Sequence, residues 1–258
     1  MNRDLLRRLV VSVSMIACLV GTAYGVGLIG TRVEESSGGS LAADATLIAP
    51  AVRAFSIWSV IYLGLIAYVV WQWLPSTATD QRARDTGMLA AASMILNAAW
   101  LGVTQVGWLW ASVAVIVVLE VVLARLVDLL GRTPARSWGE RIVVDGTFGL
   151  YLGWVSVATC ANIAATLVAQ GVTFGGADPW IASAVLLVAG GVGWLLASRL
   201  GGRWAVAAAM AWGLGWIAVG RLTDEPRSLV VAIAAGVAAA AVLAAAGLVR
   251  RSQVPVAA

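Results

Sequence analysis

PAVRAFSIWSVIYLGLIAYVVWQWLP, residues 50–75, decides how the chain is read. A proline opens it and another closes it, with Phe55, Trp58 and Tyr62 at helical spacing in between. The apolar run is about 20 residues long, enough to cross the ~30 Å hydrocarbon core as a helix. Comparable runs lie near residues 9–30, 55–73, 87–106, 109–129, 142–169, 180–198, 204–220 and 229–249. None of them alternates with period two, and only helices and closed barrels satisfy every backbone group in lipid. The pattern predicts an all-α, polytopic membrane bundle of eight transmembrane helices.

Composition supports this and removes several chemistries. Hydrophobic residues make up 61% and charged residues 12% of the 258, against about 25% charged in a soluble domain. The net charge of +4 therefore reports topology rather than a nucleic-acid partner. Histidine is absent, which excludes a Ser-His-Asp triad, most zinc chemistry and a histidine haem ligand. Cys18 and Cys160 fall inside apolar runs, as small buried residues rather than a disulfide framework. No metal site and no catalytic set emerges. The glycines of GTAYGVGLIG, AGGVG and WGLGW lie within apolar spans and form no phosphate cradle.

All 17 basic residues are arginine, and they alternate from loop to loop. Thirteen fall on the side of the N-terminus, while Arg32, Arg53, Arg221 and Arg227 fall on the other. The positive-inside rule then predicts both termini in the cytoplasm, and the lysine-free, Ala/Gly/Val/Arg-heavy composition suggests GC-rich bacterial coding and hence a cell inner (plasma) membrane. A secretory or lipoprotein-type reading of VVSVSMIAC at Cys18 is weaker, because a dozen further apolar residues follow it and favour a retained helix.

The 13 tryptophans sort by depth. Trp71, Trp73, Trp108, Trp110, Trp138, Trp180, Trp204 and Trp216 lie at predicted span ends or in a loop, where the half-apolar indole anchors at the interface. Trp58, Trp100, Trp154, Trp194 and Trp212 lie inside spans, where an indole N–H needs a partner in protein or ligand. Phe55, Trp58 and Tyr62 share one helix face, Asn97 and Trp100 another, and Tyr151, Trp154 and Asn162 a third. Two readings stay open: an interhelical network held by the amides, or a pocket with aromatic walls and few polar groups.

These residues resemble a known family, the tryptophan-rich sensory proteins (TspO/MBR). Pro50, Trp58, Tyr62, Gly64 and Trp73 fit the proline-led second helix of that family, and LNAAW (96–100) fits its third. YLGWVSVATCAN (151–162) follows the motif of its fifth. Phe55 stands three residues before Trp58, where the family more often has four, and the helix entry carries one proline instead of two. The resemblance covers about residues 9–170. It implies a five-helix domain (1–170) that binds tetrapyrrole-like or other flat apolar ligands, with no obligatory cofactor. Three additional spans and a short tail follow (171–258). By resemblance, Trp58 and Trp154 contact the ligand, Tyr62, Asn97 and Asn162 orient it, and Phe55, Trp100 and Tyr151 complete the wall. The long loop at 31–54 is the expected lid, and tryptophan-assisted breakdown of bound porphyrin is the one catalytic activity the family suggests.

Two further features stand outside that resemblance. Glu120, midway along VIVVLEVVLARLVDLL, is costly in lipid unless paired, protonated or facing a cavity. It supports the alternative of a secondary transporter with Glu120 as coupling carboxylate. Gly21 and Gly25, and Gly149 and Gly153, are four apart and suit close helix contact or a homodimer. Membrane lipid and a small apolar ligand are the expected partners.

Overall fold

The computed structural model describes residues 3–252, and the tail expected beyond Ser252 lies outside them. Among the described residues all regular structure is helical, with eight long helices. They are α1 (Arg3–Gly25), α2 (Ile57–Trp73), α3 (Gln81–Gln105), α4 (Leu109–Arg132), α5 (Thr147–Ala169), α6 (Asp178–Leu200), α7 (Trp204–Thr223) and α8 (Leu229–Ser252). Seven are long and apolar enough to cross a membrane. The eighth, α4, has 24 residues and carries Glu120, Arg125, Asp128 and Arg132. The protein is a multi-pass helical membrane protein.

The chain forms two compact units, Met1–Gly38 with Trp58–Phe148, and Gly39–Ile57 with Gly149–Ala258. In the first, α3 packs against both α1 and α4. Gly21 makes the α1 contact close: a Cβ there would lie 2.9 Å from Ala98 Cα, so no side chain fits. Asp80 caps α3, its carboxylate accepting from the Arg82 amide at 3.1 Å. Ile61, Leu65, Tyr68, Met94, Leu123 and Phe148 form the buried interior.

One end of this unit is held by a buried charge network. The Arg82 guanidinium donates to Glu140 at 2.8 Å, to Asp145 at 2.7 Å and to the Thr133 carbonyl at 2.9 Å. Arg82 and Glu140 are almost fully buried. Removing one partner of such a cluster leaves a charge uncompensated, which costs far more than the pair contributes. The network holds the turn Trp138–Glu140 and the π-helical stretch Arg141–Gly146, which run on into α5 at Thr147, so that Trp138–Ala169 forms one candidate span. Asp145, near the start of this span, is an ion-pair partner of Arg82.

In the second unit α8 packs against both α6 and α7. Small residues allow close contacts in this unit: a Cβ on Gly190 of α6 would stand 3.3 Å from Ala238 Cα of α8, and one on Gly153 of α5 would meet Ala209 Cβ of α7 at 2.9 Å. Gly149 and Gly153 thus serve close contact of α5 with α7 inside the chain. The alanine-rich α8 buries Ala235, Ala238, Ala245 and Ala246, a packing helix as its composition predicts. Helix α6 stops at Gly201, whose φ of 74° only glycine adopts without strain, and its N–H closes on the Ala197 carbonyl.

Three expectations are corrected. Helix α1 ends at Gly25 rather than near 30, because Gly27 and Gly30 turn the chain with φ of 76° and 78°. Trp71 is no interface anchor: it is buried, and it stacks on Tyr68 one helical turn earlier, centroids 5.8 Å apart. Trp194 lies within its span as expected, but its indole is 48% exposed rather than enclosed by protein, because depth along α6 says nothing about which way a side chain faces.

Candidate functional site

Each unit gathers part of the aromatic set. In the first, Trp58 stacks on Tyr62 with centroids 5.1 Å apart and planes at 19°. One turn of helix separates the two residues, which sets the rings in register on one face of α2. The Tyr62 hydroxyl accepts a hydrogen bond from Asn97 Nδ2 at 2.9 Å, and the same nitrogen donates to Cys18 Sγ at 3.4 Å. Asn97 on α3 is buried and thereby joins α1 and α2, as an amide in lipid must. Trp58, Tyr62 and Trp100 are half-buried, so this aromatic face keeps accessible surface.

In the second unit Phe55 meets Trp154 edge to face, centroids 5.5 Å apart at 76°. Tyr151, Trp154 and Asn162 of α5 are buried, whereas Phe55 is 40% exposed. The backbone at Phe55 is held by α7: Trp212 Nε1 donates to the Ala54 carbonyl at 2.8 Å, and the Ala51 amide donates to the Trp216 carbonyl at 3.3 Å. The two α7 indoles themselves contact edge to face, 5.7 Å apart. Trp212 thus has the N–H partner its depth requires, and that partner is backbone.

The loop expected as a lid is anchored twice. Its first part is tied to the end of α3, where Gln105 donates to the Thr31 carbonyl at 2.7 Å and Ser37 Oγ to the Thr104 carbonyl at 2.9 Å. Its second part is held by Arg221 of α7, which is 1% exposed. That guanidinium donates to the carbonyls of Pro226 at 2.8 Å, Ala43 at 3.1 Å and Thr46 at 3.3 Å. Between the anchors, Gly38 and Gly39 take φ of 67° and 80° with open space beside both.

Glu120 is half-buried on α4, and Asp128 is ion-paired with Arg125 and Arg132 at 2.7 and 2.8 Å. Sequence reasoning passed over Arg82 and Arg221, counting both only as markers of sidedness. The available signal was that each lies next to or within an apolar run, where an arginine needs several acceptors.

A family model described as TSPO-like protein matches residues 8–248, past residue 170 and through the last three helices. No curated protein and no solved structure matches the chain. The motif order, the all-helical membrane fold and this match over nearly the whole chain agree: it belongs to the TSPO-like protein family.

Proposed function

We propose that the protein is an inner-membrane sensor or regulator that binds flat apolar ligands of the tetrapyrrole class. The observation that carries the reading is the Trp58–Tyr62 stack, half-exposed and oriented by the buried Asn97. Two near-parallel stacked rings fixed in advance offer a planar ligand the outer face of the stack without the entropy cost of ordering side chains. With no histidine in the chain, a haem-type ligand is held by its ring faces and edges rather than by an imidazole on iron. Phe55 on Trp154 is a separate aromatic pair within the second unit, and the loop segment tied to the end of α3 through Thr31 and Ser37 is the element a bound ligand biases. Such a bias requires that the ligand bind one loop state better than the other. Both termini are cytoplasmic in this reading, supported by the arginine distribution.

The test is a titration of detergent-purified protein with protoporphyrin IX, read by tryptophan quenching and by the porphyrin absorption band. Trp58→Ala is expected to weaken binding roughly tenfold, the value of one aromatic stacking partner. Equal affinity in wild type and variant, with helical content unchanged, would refute the reading. Loss of the porphyrin spectrum over time in light and oxygen, faster with protein than without, would add the degradative activity.

A further inference from the structure

We propose that the cleft between the start of α7 and the end of α8 is a binding site for an acidic phospholipid. The cleft holds about 530 Å³ and is lined by Trp204, Ala244, Gly247, Leu248, Arg250 and Arg251. Its floor is apolar and continuous with the outer surface of the helices, since Trp204 is 47% and Leu248 55% exposed. Gly247 makes the recess: a Cβ there would lie 3.6 Å from Trp204 Cη2, so the indole rests close to the α8 backbone with no intervening side chain.

Charge selects the occupant. Arg250 and Arg251 are exposed at the rim, and Arg199 and Arg203 end α6 and precede α7 at the same end. A Cβ on Gly202 would lie 3.1 Å from the Arg250 amide, which brings the α6–α7 turn beside the rim arginines. The four carboxylates of this unit lie elsewhere: Asp178 opens α6, Asp224 and Glu225 follow α7, and Asp44 is in the loop. An apolar groove ending in two arginines matches a molecule with an acyl chain and a net negative headgroup. A zwitterionic headgroup brings its own cation to the same rim and gains less. Basic pockets between transmembrane helices recognise acidic headgroups in this way.

The experiment offers the detergent-purified full chain an equimolar mixture of phosphatidylglycerol and phosphatidylcholine and reads retained lipid by native mass spectrometry. Wild type is expected to retain phosphatidylglycerol preferentially. Arg250→Gln/Arg251→Gln should cut that preference about 30-fold, from roughly fivefold for each arginine at an anionic surface. Arg125→Gln/Arg132→Gln, which removes two exposed arginines of the other unit, should change it less than about threefold on the same scale. In a second arm, brominated phosphatidylglycerol should quench tryptophan fluorescence by an amount that falls in Trp204→Phe. Equal retention of both lipids by wild type, equal losses in the two double variants, or quenching unchanged by Trp204→Phe would each overturn the site.

Discussion

Replacing Arg221 by methionine should release the 39–50 segment while leaving the helices in place. The methionine keeps part of the buried stem and removes the guanidinium. Three carbonyls then lose a charged donor, two of them in the loop at 3.1 and 3.3 Å and one in the α7–α8 turn at 2.8 Å. A hydrogen bond from a charged group contributes about 1.5–3 kcal/mol. Both loop bonds exceed the 2.7–2.9 Å typical of charge-assisted pairs, so the lower figure applies to each. Their sum is about 3 kcal/mol, and relief of the arginine's own burial offsets part of it. About 2–3 kcal/mol corresponds to a local opening equilibrium shifted roughly 30- to 150-fold. Amide hydrogen exchange reads that shift, because Ala42, Ala45 and Ala49 donate within the segment at 3.0, 3.1 and 3.3 Å. Their exchange should accelerate by that factor while amides of α2 and α8 keep wild-type rates. Exchange over 39–50 within twofold of wild type would refute the anchoring role. So would an equal acceleration in α2 and α8, which signals global destabilisation instead.

Two other substitutions test the packing logic. Asn97→Leu should cost about 1–2 kcal/mol in a reversible unfolding titration, the value of interhelical hydrogen bonds in lipid, and Tyr62→Phe should cost less in the Asn97→Leu background than in wild type, because their shared bond is already gone. Arg82→Leu should cost about 3–5 kcal/mol and lower the melting temperature sharply, because Glu140 and Asp145 are left facing each other without their shared cation. Adding Glu140→Gln and Asp145→Asn to Arg82→Leu should recover part of that loss, and no recovery would mean that the guanidinium acts through its carbonyl contacts alone.

Depth along the membrane was legible in the chain, and direction around each helix was not. Run lengths located all eight helices, with ends off by a few residues, as where Gly27 and Gly30 turn the chain. The motif residues Trp58, Tyr62 and Asn97 were also visible, because spacings of three and four put side chains on one face. Helices such as α2 and α6 are apolar on every side, so no stripe tells which face meets protein. That is why Trp194, at the depth expected, faces outward, while Trp71, at the span end expected, is buried. The arginines failed for a different reason. A charge is visible in a sequence but its acceptors are not, and those of Arg82 and Arg221 lie up to 63 and 178 positions away.

That last separation has a consequence for how the protein is made. The 39–57 segment leaves the ribosome early, yet the residues that fix it (Trp212, Trp216 and Arg221) come far later in the chain. At about 5–20 residues per second, the wait from Ala43 to Arg221 lasts roughly 9–36 s. During that interval α1 to α4 can already associate, while the segment has none of its α7 partners. Any substitution that slows delivery of α7 lengthens this exposure. The loop should therefore be the site where proteases and chaperones first meet the nascent protein.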